Sequence, residues 1–114
     1  MGPRPESFLP LHPLELRILL AVIERPSHGY RIVKEIEEHA DDGTTIYPAN
    51  LYRRIRDLLG RELLEESEAP PDEGDVDPRR TYFEATELGR AVARAERARL
   101  RELVRDADRA LGTA

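Results

Sequence analysis

The sequence predicts a mainly α fold that carries one small antiparallel β-hairpin. Three observations lead there. The first half holds three short segments with helical apolar periodicity. Two short β-like stretches then flank a turn-rich acidic loop, and residues 86–114 form one long run of alanine, arginine and glutamate with a recurring apolar residue.

Residues 1–10 contain three prolines and little periodicity, the pattern of a flexible N-terminal arm. Leu14, Leu16, Ile18, Leu19, Leu20, Val22 and Ile23 place apolar side chains almost all round a helix from Leu11 to Arg25, which is expected to be buried on most sides. Pro13 suits its first turn and Pro26 stops it. Ser27 is placed to cap a second helix through Ala40, with Tyr30, Val33, Ile36 and Ala40 as its inner stripe. Asp41-Asp42-Gly43 then reads as a turn. Pro48 opens a third helix, in which Leu51, Ile55, Leu58 and Leu59 make the i, i+4, i+7, i+8 stripe of an amphipathic element. Asn50, Arg53, Arg54, Asp57 and Arg61 fall on the opposite face. Leu63 to Ser67 and Arg79 to Ala85 are strand candidates, and the loop between them, with Pro70, Pro71, Gly74 and Pro78, is too long for a tight hairpin. Thr86 caps the final helix, which runs to about Leu111 in good helix formers.

The 114 residues suit a single domain, and 39% hydrophobic residues supply one modest core. There is no cysteine, which excludes disulfides and thiolate metal sites. No apolar run reaches signal-peptide or membrane-span length, so a soluble cytoplasmic protein with no membrane partner is expected. The net charge of −5 runs against the basic footprint usual for nucleic-acid binders, but the charge is unevenly placed.

Two short helices followed by a third with a basic outer face make the pattern of a helix-turn-helix, with the hairpin as a wing. Reading duplex DNA requires long cationic side chains for phosphates and short polar ones for base edges. Arg53, Arg54 and Arg61 supply the cations. Asn50 has the donor and acceptor for a bidentate contact to adenine, and Tyr47 has a hydroxyl to donate or a ring to stack.

Four segments in order resemble the PadR-like regulators. They are Leu14-Glu15-Leu16-Arg17-Ile18-Leu19-Leu20, Ser27-His28-Gly29-Tyr30-Arg31-Ile32, Tyr47-Pro48-Ala49-Asn50-Leu51-Tyr52-Arg53-Arg54-Ile55, and Arg79-Arg80-Thr81-Tyr82-Phe83-Glu84-Ala85-Thr86-Glu87-Leu88-Gly89-Arg90. The resemblance covers roughly residues 11–95. It implies a winged helix DNA-binding domain over residues 11–85 and a dimerisation helix over residues 86–114. It also implies a homodimer that represses transcription from a pseudo-palindromic site, with room for a small apolar effector that releases it. By position, the implied DNA contacts are His28, Tyr30, Tyr47, Asn50, Tyr52, Arg53, Arg54, Arg79 and Arg80. Three positions depart from the family pattern where bases are read: Tyr47 replaces a small Ser cap, Ala49 replaces Gly and Asn50 replaces Thr. Glu62 stands where the family ends its recognition helix with Gly, and Gly60 is expected to loosen that end instead.

Leu88, Val92, Leu100, Leu103, Val104, Ala107 and Leu111 give the last helix more apolar surface than a lone projecting helix carries, and are expected at the dimer interface. His28 and His39 lack companion ligands at metal-site spacing, so no metal is expected. Asp72 to Asp77 lack the twelve-residue calcium pattern and its closing Glu. No nucleophile–base set and no phosphate loop is present, so neither an enzyme nor a cofactor is expected. Glu65, Glu66, Glu68, Asp72, Glu73, Asp75 and Asp77 have no base among them, so the wing tip is expected to be mobile and to stay out of a DNA groove. The same acidity motivates one alternative, a winged helix used as a protein-interaction module without DNA.

Overall fold

The computed structural model describes residues 2–40 and 45–112. The turn expected at Asp41-Asp42-Gly43 lies outside them. The order is a 3-10 turn at Pro5–Phe8, α1 at Pro13–Glu24, β1 at Ser27–His28, α2 at Gly29–His39, α3 at Pro48–Gly60, β2 at Leu64–Ser67, β3 at Tyr82–Ala85 and α4 at Glu87–Leu111. This is a winged helix-turn-helix with a long C-terminal helix.

Each boundary has a local cause. His12 caps α1: its Nδ1 accepts from Leu14 N at 3.0 Å, and Glu15 reaches back to accept from His12 N at 3.0 Å. Arg25 ends α1 in extended backbone ahead of Pro26. Leu63 N donates to Leu58 O at 2.9 Å and Glu62 N to Leu59 O at 3.0 Å, the paired bonds of a Schellman end for α3. The left-handed residue of that motif is Glu62 itself, at φ 62°, whereas Gly60 is simply the last helical residue. The expectation that Gly60 compensates for a missing glycine at 62 is thus corrected: the apolar seat shared by the buried Leu58 and Leu63 holds a non-glycine residue in that conformation. Thr86 caps α4, accepting from Gly89 N at 2.9 Å and donating to Glu62 O at 2.7 Å, so the end of α3 and the start of α4 are joined through one hydroxyl.

The sheet has three strands in the order β1-β3-β2, all antiparallel, with Ser27 opposite Phe83 and Leu64 opposite Ala85. The two-stranded ribbon expected from the sequence is extended by Ser27 and His28, a stretch too short to carry a strand pattern. Ser27 therefore lies in β1 and does not cap α2; that role falls to His28, whose Nδ1 accepts from Arg31 N at 3.2 Å. The core gathers Ile18, Leu19 and Val22 of α1, Ile32 and Ile36 of α2, Leu51, Ile55 and Leu58 of α3, with Leu63, Phe83 and Val92. In α2 the inward residue of the first turn is Ile32, not Tyr30, which is exposed.

Two further expectations change. Residues 5–8 do not extend as an arm; the 3-10 turn packs against α4, and Leu11 N donates to the buried Glu96 at 2.8 Å. Val92, and partly Leu88, belong to this protomer's own core and are not free for a partner.

Candidate nucleic-acid interface

α3 enters the fold with Leu51, Ile55 and Leu58 inward and Ala49, Asn50, Tyr52, Arg53, Arg56 and Asp57 outward. Its N-cap, Tyr47, offers no side-chain bond to the first turn, so that end is left open, with Pro48, Ala49 and Asn50 exposed. Arg53 donates from Nη2 to Asn50 Oδ1 at 2.8 Å, one turn apart on the exposed face. Arg56 points outward beside them, following Arg53 at i+3.

The wing stands next to this face. A shallow cleft of about 410 Å3 runs between α3 and the wing, bordered by Tyr30, Tyr52, Arg56, Arg79 and Arg80. Tyr52 is half-exposed, and its hydroxyl and ring edge lie where a side chain on Gly29 would stand. Exposed Tyr30 is flanked by two cations, Lys34 Nζ 5.4 Å and the Arg80 guanidinium 5.7 Å from its ring centre.

His28 is buried. It is an internal joint and does not sit on the exposed contact face: it caps α2, meets Tyr82 edge-on at 5.3 Å between ring centres, and has Arg80 Nη1 2.7 Å from its Nε2. A neutral imidazole has one lone pair, and the Arg31 amide and the Arg80 guanidinium both approach the ring. Burial first, then Arg80, pushes the His28 pKa below the ordinary histidine value, which keeps the ring neutral.

Three of the seven carboxylates from Glu65 to Asp77, those of Asp72, Glu73 and Asp77, are paired within the chain. Arg25, at the end of α1, pairs with Asp72 at 3.0 Å and Glu73 at 2.8 Å, and Tyr82 donates its hydroxyl to Glu73 at 2.6 Å. Arg25 holds both carboxyls below the usual range, with Tyr82 assisting at Glu73. Asp77 accepts from the Arg79 backbone at 2.9 Å and from Arg79 Nε at 3.1 Å. The loop is therefore folded back along the body, and its two arginines, Arg79 and Arg80, are exposed at the edge nearest α3.

Arg54 does not join this face. Its guanidinium turns inward to Glu15 of α1, with Nη1 at 3.7 Å, and Arg61 binds the same carboxylate. The structure thus brings Tyr30, Asn50, Tyr52, Arg53, Arg79 and Arg80 to one side, with Tyr47 exposed at the open end of α3, and takes His28 and Arg54 inward. Of the apolar residues expected at a partner, Leu100 is half-buried beside α1 while Leu103, Val104, Ala107 and Leu111 are exposed. Among the described residues no three His, Asp or Glu side chains gather as metal ligands, and no helix is long and apolar enough to cross a membrane.

Comparison with known proteins agrees with this architecture. None of the curated proteins matches the sequence. Among solved structures, the chain is similar to a PadR family transcription regulator from Clostridium difficile R20291, at 16% identity and a TM-score of 0.72 over 87% of this chain and 98% of that one. It is similar to a PadR-like transcriptional regulator from Bacillus cereus ATCC 14579, at 18% identity and 0.72 over 89% and 93%. A PadR-like transcription factor from Bacteroides fragilis gives 22% identity and 0.68 over 84% and 87%. The model of the transcriptional regulator PadR-like family matches residues 18–95, which run from the middle of α1 through the wing into α4. With more than half of the chain matched, this protein belongs to the PadR-like family of transcriptional regulators.

Proposed function

We propose that the protein is a sequence-specific DNA-binding repressor that acts as a homodimer on a pseudo-palindromic operator. One observation carries the reading: on α3 the apolar stripe is buried while Asn50, Arg53 and Arg56 stand outward, with Arg56 across a shallow cleft from Arg79 and Arg80 of the wing. An α-helix of this kind fits the major groove, with Asn50 suited to the N6 and N7 edge of adenine and the arginines to guanine edges or phosphates. The open N-terminus of α3 adds partial positive charge where a phosphate would pass. Tyr47, Tyr52 and Tyr30 supply hydroxyls along the same face, Arg79 exchanges Asp77 for backbone phosphate, and Arg80 joins it there.

Residues 11–85 form the reading unit in this proposal, and the exposed apolar residues of α4, Leu103, Val104, Ala107 and Leu111, meet a second copy. A two-fold pair would set two recognition helices about 34 Å apart, one helical turn of DNA. The apolar cleft of about 320 Å3 between α1 and α4, lined by Leu16, Leu20, Ile23 and Leu100, lies beside that surface and is the place for a small apolar effector. The interaction-module alternative drew on the acidic wing, and the pairing of Asp72, Glu73 and Asp77 within the chain removes much of its motive.

Fluorescence anisotropy tests the reading. A duplex selected by the protein from a random pool should bind about a thousandfold more tightly than a scrambled one. Arg53→Ala should weaken binding to both and reduce the slope of log affinity against log salt by about 0.9. Absence of binding to any duplex at low salt overturns it.

A further inference from the structure

Arg54 of α3 and Arg61, the residue that caps its end, converge on one carboxylate of α1. Glu15 is only 5% exposed. Its Oε1 accepts from the His12 amide at 3.0 Å, and its Oε2 accepts from Arg61 Nη2 and lies 3.7 Å from Arg54 Nη1. Arg61 is also held by Asp57 at 2.9 Å. Arg54 and Arg61 stand two turns apart on one side of α3, so a single buried carboxylate grips the helix at two levels. The Nε atoms of both arginines are buried and find no acceptor among the described residues. Their Nη atoms pair with the carboxylates of Glu15 and Asp57.

The buried stripe of Leu51, Ile55 and Leu58 sets which side of α3 faces the core, but burial is non-directional and sets the rotation of the helix only coarsely. The charge-assisted hydrogen bond from Arg61 Nη2 to Glu15 is directional, and the Arg54 guanidinium adds charge attraction at 3.7 Å. Base reading depends on that rotation, because residues 50 and 53 project along fixed directions from it.

We propose that Glu15 is a positioning residue for DNA reading: through Arg54 and Arg61 it holds α3 at the rotation that presents Asn50 and Arg53 to the groove. The inference rests on the DNA-binding reading above, and it makes Arg54 a strut, not a phosphate contact.

The test compares Glu15→Gln and Arg54→Met with the native chain on the selected and scrambled duplexes across a salt series, with thermal melting as a check on folding. Glu15→Gln keeps the acceptor for the His12 amide and nearly the same volume, but removes the charge that holds Arg54 and leaves Arg61 to Asp57. Its discrimination between the duplexes should fall at least about tenfold, while the salt slope steepens by about 0.9 for each guanidinium that finds a phosphate. Arg54→Met should lose discrimination with no change in salt slope. A folded Glu15→Gln with native discrimination overturns the proposal, and so does a slope reduced by about 0.9 in Arg54→Met, which would make Arg54 a phosphate ligand. If Glu15→Gln does not fold, Arg54→Met decides alone. A native chain that binds no duplex sinks the DNA-binding reading and this inference with it. Native binding with unaffected variants sinks only this inference.

Discussion

The two halves of α4 are alike in composition and opposite in surroundings. Up to Arg99 the helix is built into the protomer: Val92 is fully buried, Gly89, Ala93 and Glu96 are buried, and Glu96 binds the Leu11 amide. From Leu103 onward the same mixture of arginine, alanine and leucine stands in solvent, with Leu103 54%, Val104 59% and Leu111 85% exposed. An apolar stripe that runs unbroken in the sequence therefore serves two purposes. Its first part completes a core, and its second part has no partner among the described residues.

Substitutions can separate the halves. The largest effect is expected at Gly89, where a Cβ would meet the backbone carbonyl of Leu63, an atom that cannot step aside. Gly89→Ala should cost about 3 kcal/mol in urea unfolding, and a loss below half of that would show that α4 is not seated firmly on the start of β2. Val92→Ala should follow at about 2 kcal/mol, from lost burial and a residual cavity.

Glu96→Gln should cost about 1 kcal/mol near neutral pH. Arg99, opposed by burial and helped by the Leu11 amide, holds the Glu96 carboxyl below the usual range. A depressed carboxyl stabilises the fold above its unfolded pKa of about 4.3 and loses that contribution as pH falls through the folded value. The gap between native and variant melts should therefore be constant at neutral pH and close in acid below about pH 4. A gap that persists at pH 2 would locate the effect in packing.

The smallest effect on the protomer is expected in the distal half. Leu103→Glu with Val104→Glu should change unfolding by less than about 0.5 kcal/mol, measured at a concentration where both forms are monomeric. The same pair should move the sedimentation profile from dimer to monomer at higher concentration. An unchanged profile would remove the distal half from the subunit contact.

Much of this was legible in the sequence. Proline at 13, 26 and 48, Thr86, and the Leu51–Ile55–Leu58 stripe set the helices, because capping and periodicity are local properties. What escaped depends on contacts between distant segments. β1 is two residues long and exists because Phe83 and Tyr82 pair with it. Arg53 and Arg54 are neighbours of one type, and only the position of Glu15, 39 residues before Arg54, sends the second inward. The acidic loop reads as unopposed charge until Arg25 is seen beside Asp72 and Glu73. The stripe of α4 gives no sign of where the core stops, since Val92 and Val104 have the same periodicity.

The seat of Tyr52 over Gly29 joins α2 and α3 through a missing methyl group. Any larger residue at 29 would displace the Tyr52 phenol from its seat. Position 29 is thus inside the fold by location, and yet a change there would register first on the exposed side of α3, through Tyr52.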